Sequence, residues 1–297
     1  MSMSRKEYSG AFIWLALASF LMPVAVSLWA FKSVPRPFTY PEIQLDAAGV
    51  DQGLWDFLLR NYVADGLIDY DGLKRDHYFK VYIAQLATAQ PDKLPDENHR
   101  LAFDCNAYNA FVINGVIIHK IHGSVLDFKS NAGKGFFDLT EHILAGETIS
   151  LDHFEHQMIR PTYQEPRIHV ALVCAAKSCP AIRGEAYQGK RIREQLEDQA
   201  KLFAHNQAYV KYQPEEKKVY LSPILKWYAE DFGGAPGVIK FLLQHVQSGE
   251  EREGLSLAQK GEVELAYNPY DWSLNTQGKG TDVGKNTSFG SGSIPNE

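Results

Sequence analysis

Residues 167–180 read RIHVALVCAAKSCP, and the rest of the chain is most easily interpreted outward from this segment. Its first part, residues 168–173, is apolar and rich in β-branched residues apart from one histidine, which predicts a buried strand. Small residues then predict a loop, and Pro180 suits the first position of a helix that Ser178 or Cys179 would cap. A thiol between a strand end and a helix N-terminus has a lowered pKa, because the helix dipole and free N–H groups favour the thiolate.

Two of the chain's three cysteines, Cys174 and Cys179, lie in this loop. A reactive thiol is therefore one interpretation of the segment. Buried cysteine is more often a small hydrophobic residue, and two nearby cysteines also form disulfides in an oxidising compartment. Three cysteines cannot build a disulfide framework, because one is always left unpaired.

The composition is that of an ordinary globular protein, with 297 residues of which 45% are hydrophobic and 22% charged. The net charge is −6 and the basic residues are scattered along the chain. No polyanion-binding patch is evident, so nucleic acid is not expected as a partner.

The N-terminus has the features of an export signal. Arg5 and Lys6 precede an uncharged run over residues 8–31. Residues 11–21 have the length of a signal-peptide core, and Ala25-Val26-Ser27 fits a cleavage site, whereas residues 11–31 taken together are long enough to span a bilayer. We therefore expect residues 1–31 to be a signal peptide or a membrane anchor. The remainder would be exported, either periplasmic or anchored facing outside the cytoplasm, with the membrane as a partner only if the segment stays uncleaved.

The remaining chain divides into a linker, one domain and a tail. Residues 32–50 contain a Pro-rich linker, residues 51–275 form the domain, and residues 276–297 are rich in Gly, Ser, Thr and Lys, which predicts disorder. Helical spacing covers residues 41–63, 78–89, 98–121, 152–160, 188–205, 222–233 and 236–247. Short strands are predicted near residues 67–70, 136–139, 147–151, 217–221 and 261–267.

The helix predicted over residues 98–121 is too apolar for a surface helix and carries two asparagines, Asn106 and Asn109. Buried amides need hydrogen-bond partners. These side chains either tie down loops, or orient a catalytic group and donate to an oxyanion.

The helix predicted over residues 152–160 carries Asp152, His156 and Arg160 at successive i, i+4 positions. A carboxylate beside a histidine can fix its tautomer and support an imidazolium ion. Glu155 lies about 100° round the helix from His156, which makes it a less obvious orienting group. Pro161 is expected to end this helix, and a solvated face of alternating charge is the simpler interpretation of the same residues.

Several histidines and an acid cluster in sequence near the cysteine loop, which raises the alternative of a metal site. The cluster contains His142, His153, Glu155, His156 and His169. Its spacing matches no standard zinc signature, so we predict neither a metal nor a cofactor. On the predicted strand His169 points away from Cys174, which suggests a hydrogen-bonded core or supporting histidine rather than the base.

Several motifs in this order resemble the DUF547 family, which is named for its unknown function. They are NAYNA at 106–110, FEHQMIRP at 154–161, RIHVALVC at 167–174, KSCP at 177–180, LKWY at 225–228, DFG at 231–233 and YDWSLN at 270–275. The chain departs from the family at Asp104 and Cys105, where an aromatic and an aliphatic residue are usual, so Cys105 is a poor candidate for a nucleophile.

The resemblance implies an α+β fold in which helices pack on a small, mostly antiparallel sheet with a core like those of papain and transglutaminases. It also implies a Cys-His-acid site. Carried over by position, Cys174 is the nucleophile, His156 the base and Glu155 the acid. Helix geometry favours Asp152 as the orienting carboxylate, and we keep it as the alternative.

The resulting hypothesis is an exported thiol hydrolase or acyltransferase acting on amide bonds of peptides or peptide-like substrates. Asn106, or backbone N–H groups near Ala175, would hold the oxyanion. The side chains expected to contribute to binding are Asn109, Asp152, Arg160, His169, Ser178 and Cys179. The alternative is a non-catalytic exported binding domain with a Cys174–Cys179 disulfide.

Overall fold

Helices dominate the computed structural model, which describes residues 39–277. The helices are α1 (Gln52–Tyr62), α2 (Tyr70–Arg75), α3 (His77–Ala87), α4 (Glu97–Ile118), α5 (Leu151–His153), α6 (Arg160–Tyr163), α7 (Ile192–Ala204), α8 (Ile224–Trp227), α9 (Gly234–His245) and α10 (Glu250–Gln259). The strands are β1 (Val63–Ala64), β2 (Leu67–Ile68), β3 (His142–Leu144), β4 (Glu147–Ile149), β5 (Val210–Gln213), β6 (Lys218–Leu221) and β7 (Glu264–Tyr267).

The strands form small sheets that are mostly antiparallel. β1 pairs with β2 and β3 with β4, both antiparallel. In the third sheet β6 lies between β5, its antiparallel neighbour, and β7, which runs parallel to it. The predicted α+β class is confirmed.

Helix α4 forms the centre of the domain, as its apolar sequence predicts. Asp96 caps its first turn by accepting a hydrogen bond from the His99 N–H. Of the described helices it alone is long and apolar enough to cross a bilayer, but 78% of the relevant window is buried inside the domain. A helix that is apolar on every face is typically buried in this way. A second, smaller core lies where α7, α9 and α10 pack on the third sheet.

The prediction of a strand over residues 168–173 is wrong. Pro166–Val170 forms a 3-10 helix instead, whose first turn is capped by the Glu165 side chain through the Arg167 N–H. The backbone beyond this turn needs no neighbouring strand, because the Asn109 side chain bonds both the Ala171 carbonyl and the Val173 N–H.

The helix predicted to begin at Pro180 is also absent, since residues 180–191 contain no helix. Residues 175–178 pair instead with the C-terminal segment, residues 270–275. The lowered pKa of a thiol in this loop therefore cannot come from a helix N-terminus.

Pro161 does not end the helix that contains His156. The chain continues from α5 through a π-helix, Phe154–Ile159, into α6. Proline has no N–H to give the preceding turn, and its ring would clash with the carbonyl four residues earlier. The wider π turn relieves both problems, and such turns are frequent at functional sites.

Other elements differ from their predictions. No strand forms at residues 136–139, and the hairpin turns about Gly146 between β3 and β4. Helices α2 and α10 and strand β5 were not predicted. In α10 the small residue Gly254 lies against the Tyr212 ring, where any larger side chain would clash.

The predicted linker partly belongs to the domain. The Tyr40 ring stacks on Tyr78 at 4.0 Å, its hydroxyl donates to Asp76, and Val50 is fully buried. At the other end the Gln277 side chain donates to the carbonyls of Tyr62 and Leu67. The predicted signal peptide or anchor, and the tail beyond Gln277, lie outside the described residues.

Candidate functional site

Asn109, in the middle of α4, fixes the backbone that leads to Cys174. Its amide nitrogen donates to the Ala171 carbonyl at 3.0 Å, and its amide oxygen accepts from the Val173 N–H at 2.9 Å. All of these groups are buried. Asn109 therefore sets the position of the residue directly before the cysteine.

The C-terminal segment, residues 270–275, fixes the backbone on the other side of Cys174. The Lys177 N–H donates to the Ser273 carbonyl at 2.8 Å, and the Asn275 N–H donates to the Ala175 carbonyl at 3.1 Å. The Ser178 hydroxyl accepts from the Asp271 N–H at 2.8 Å. This pairing brings Tyr270 to the thiol.

Cys174 is partly exposed and surrounded by hydrogen-bond donors. Its sulfur lies 3.0 Å from the Tyr270 hydroxyl. Ala175 has a φ of +62°, an unusual left-handed conformation for a residue with a side chain. Burial works against ionisation, but hydrogen bonds from the Cys179 thiol, the Tyr270 hydroxyl and the Ala176 N–H outweigh it, so the pKa of the Cys174 thiol is lowered.

Cys179 has the opposite character. It is 4% exposed, and burial, followed by hydrogen bonding to Cys174 and the charge of that residue, raises its pKa well above the ordinary value. Its sulfur also accepts from the Cys174 N–H at 2.9 Å. The two neighbouring thiols therefore differ in acidity, because the pKa of Cys174 is lowered and that of Cys179 is raised.

All three cysteines are free thiols in this structure. The Cys174–Cys179 disulfide of the alternative hypothesis is not formed. Cys105 is fully buried in α4, where burial raises its pKa, so the third thiol stays protonated.

The preceding residue, Asp104, marks the departure from the family pattern and lies on a different network. The Tyr163 hydroxyl donates to its carboxyl group at 2.6 Å. Burial raises the pKa of Asp104 to about 7, although the bond from Tyr163 and the charge of Arg100 work against this shift.

Glu155 lies in the π-helix and points into the domain. It is 8% exposed and accepts a hydrogen bond from the Tyr108 hydroxyl at 2.7 Å. Burial, and then the charge and hydrogen bonding of Glu155, raise the pKa of Tyr228. The charge of Glu155 also reaches Cys174, where it opposes the thiolate. Glu155 therefore influences the thiol by its charge, but no histidine in the described part of the chain links the two residues as a Cys-His-acid site would require.

His156 is engaged away from the thiol. Its Nδ1 lies 2.6 Å from Arg160 Nη1, and its Nε2 lies 3.6 Å from Asp152 Oδ1. Because arginine only donates, Nδ1 accepts and the ring proton is on Nε2. Among the described residues, no hydrogen bond joins His156 to Cys174. Asp152 thus takes the position beside His156 that helix geometry indicates, and Glu155 does not.

Asp231, which sequence reasoning missed, links two of the predicted site residues. It accepts two hydrogen bonds from Arg160 and one of 2.6 Å from His169 Nε2. These bonds, led by the one from His169, lower the pKa of Asp231 despite its partial burial. Arg160 is therefore paired with Asp231, and His169 is a buried histidine that bonds the same carboxylate. The strand from which the orientation of His169 was inferred is absent.

Tyr228 connects this network to the thiol side of the site. The His169 ring stacks on it at 3.9 Å, and the Arg160 guanidinium lies 5.1 Å from its centroid. The available sequence signal for these residues was their position in the family motifs. The LKWY motif contains Tyr228, DFG contains Asp231 and YDWSLN contains Tyr270.

Asn106 holds a loop. Its amide nitrogen donates to Gln52 and to the Tyr187 carbonyl, and its oxygen accepts from the Tyr187 N–H. Both amide hydrogens are used, so Asn106 has none left for an oxyanion.

An aromatic cluster borders the thiol at the C-terminal segment. The Tyr270 ring lies 4.8 Å from Trp227 and 4.7 Å from Trp272, and both tryptophans are half-buried. Among residues 39–277 there is no group of three or more His, Cys, Asp or Glu side chains that could hold a metal ion.

The fold and the site define an α+β domain that contains a hydrogen-bonded free cysteine, Cys174, whose pKa is lowered. Residues 91–204 match the family model DUF547, described as a protein of unknown function, which confirms the family resemblance over that segment. No curated protein and no solved structure matches the chain. A core like that of papain or transglutaminases therefore stays a prediction.

Proposed function

We propose that this protein is an exported thiol hydrolase or acyltransferase that acts on amide bonds of peptides or peptide-like substrates. The observation that carries the proposal is Cys174, a partly exposed residue whose sulfur lies 3.0 Å from the Tyr270 hydroxyl and whose pKa is lowered. A lowered pKa raises the thiolate fraction of such a sulfur before the substrate arrives, so the attack depends less on a separate base.

In the proposed reaction the Cys174 sulfur attacks the amide carbonyl and a tetrahedral oxyanion forms. Collapse breaks the C–N bond, leaves the acyl group on sulfur and requires a proton for the departing amine. Water or an acceptor amine then attacks the thioester, and the C–S bond breaks to release the Cys174 sulfur. The proton lost by the attacking group restores the group that protonated the departing amine. The backbone N–H of Ala175, adjacent to the nucleophile, is our candidate for the oxyanion donor in place of Asn106.

Tyr270 is our candidate for the group that supplies the proton, because its hydroxyl lies 3.0 Å from the sulfur. Burial, and then the charge of Cys174, raises the pKa of Tyr270, so it is protonated in the resting enzyme. When the thiolate is consumed, that second contribution disappears and the hydroxyl becomes more acidic. The proton thus becomes available at the step that needs it.

Export is part of the proposal and is supported by the sequence of residues 1–31, which would act as a signal peptide or an anchor. Periplasmic or outward-facing peptides would then be the accessible substrates. Thiol acyl transfer of this kind requires no cofactor.

The proposed activity is tested by acylation of the thiol. The purified domain is mixed with peptide p-nitrophenyl esters, and the acylated residue is identified by mass spectrometry. We expect one acyl group on Cys174 of the wild-type protein and a strong loss of acylation in Cys174→Ala. The matched control Cys105→Ala should be acylated as the wild type is. Acylation that is absent, or that persists in Cys174→Ala, would favour the non-catalytic binding domain.

A further inference from the structure

The proposed reaction does not use Cys179 as a reacting group, yet this residue is the nearest thiol to the nucleophile. The Cys174 N–H donates to Cys179 Sγ at 2.9 Å. Cys179 is 4% exposed, whereas Cys174 is partly exposed. A small oxidant in solution therefore reaches Cys174 first.

We propose that Cys179 is a resolving thiol: a peroxide oxidises Cys174 to a sulfenic acid, and Cys179 converts it to a reversible Cys174–Cys179 disulfide. This pair is a modification site distinct from acyl transfer. It rests on the proposed function only for the consequence that the disulfide removes the nucleophile and stops catalysis.

The chemistry balances with a peroxide as the only oxidant. The Cys174 thiolate attacks one peroxide oxygen, the O–O bond breaks, and an alkoxide or hydroxide leaves and takes up a proton. The Cys179 sulfur then attacks the Cys174 sulfur, the S–O bond breaks, and water leaves with the thiol proton of Cys179. Two electrons pass from the two sulfurs to one peroxide, and a reducing dithiol restores both thiols.

The surroundings of the pair favour this outcome over further oxidation. Residues 175–178 are held by the C-terminal segment through the Ala175, Lys177 and Ser178 backbones, so the turn that places Cys179 Sγ against the Cys174 backbone is fixed. The Leu172 carbonyl lies 4.0 Å from Cys179 Sγ and is the other acceptor for its proton. A resolving thiol already at the sulfenic acid reacts before a second peroxide arrives.

The test treats the fully reduced protein with hydrogen peroxide and follows free thiols and intact mass. We expect the three free thiols to fall to one, with the loss of two hydrogen atoms and full recovery by dithiothreitol. The same result is expected for the Cys105→Ala control, adjusted for its missing thiol.

Variants at Cys179 make the test decisive. In Cys179→Ser, whose hydroxyl preserves a donor, the sulfenic acid should react with dimedone, and irreversible oxidation of Cys174 should rise on the order of tenfold. Equal irreversible oxidation in the wild type and in Cys179→Ser, or three thiols that survive peroxide, would overturn the proposal. These readouts need no substrate, so a failure of peptide acylation leaves them interpretable.

Discussion

The Tyr270 hydroxyl lies 3.0 Å from the Cys174 sulfur, although the two residues are 96 positions apart in the chain. The contact depends on the C-terminal segment, which pairs with the backbone of residues 175–178. The last part of the domain thus completes a site whose nucleophile lies in its middle.

Replacing Tyr270 by phenylalanine tests this contact. A hydrogen bond to a charged group contributes about 1.5–3 kcal/mol, so its loss should raise the pKa of Cys174 by roughly one to two units. The rate of iodoacetamide alkylation at pH 7 should fall accordingly. Tyr220→Phe is the control, because that hydroxyl bonds only the exposed Glu216. An unchanged alkylation profile in Tyr270→Phe would show that the hydroxyl does not stabilise the thiolate.

Replacing His156 by alanine distinguishes a preformed thiolate from a Cys-His pair. The His156 nitrogens contact Arg160 and Asp152, so the pH profile of Cys174 alkylation should change by less than about twofold in rate. Tyr270→Phe measured in parallel provides the scale. A large loss of reactivity in His156→Ala would mean that the imidazole moves to the thiol and acts as its base.

Replacing Asn109 by alanine should destabilise the domain and disorder the approach to Cys174. The Ala171 carbonyl and the Val173 N–H would be left buried without partners, at about 1–3 kcal/mol each. Urea unfolding measures the loss. The exposed Asn61, which bonds one carbonyl of its own helix, gives a control variant with little expected effect. Equal stability of the two alanine variants would contradict the role of Asn109.

Asp104 predicts a pH dependence of stability with a definite sign. Its pKa is about 7 in the folded protein against a usual value of 3.8, so the folded state holds the proton more tightly in this interval. Stability from this group is therefore complete below about pH 3.8 and is lost as the pH rises to about 7. Asp104→Asn keeps an acceptor for Tyr163 and removes the titrating group. The free energy of unfolding of this variant, relative to that of the wild type, should therefore be higher at pH 8 than at pH 5. Parallel urea curves across this range check the prediction, and a constant difference between the two proteins would contradict it.

The sequence was sufficient for those parts of the fold that depend on long apolar patterns. Helix α4 was predicted because its buried residues continue over many turns, and α3 and α7 because one face of each is apolar. The segment before Cys174 failed the same reasoning. Its β-branched residues are buried, but the Asn109 side chain, distant in sequence, bonds the backbone that a strand would have paired.

The sequence identified some residues of the site better than it predicted how they are arranged. Cys174 was identified from its loop, yet its lowered pKa has a different origin from the helix N-terminus that the pattern suggested. Tyr270 and Asp231 meet the site only through long-range contacts with Cys174 and Arg160, which local periodicity does not encode. Pro161 widened the helix around His156 rather than ending it.

The most direct test of the thiolate is the pH profile of Cys174 alkylation, measured by mass spectrometry in the wild-type domain and in Cys105→Ala. The lowered pKa of Cys174 predicts a single titration whose midpoint lies below the ordinary thiol pKa of 9.0. A midpoint at or above 9.0 would contradict the account, because Cys174 would then be a protonated, unreactive thiol.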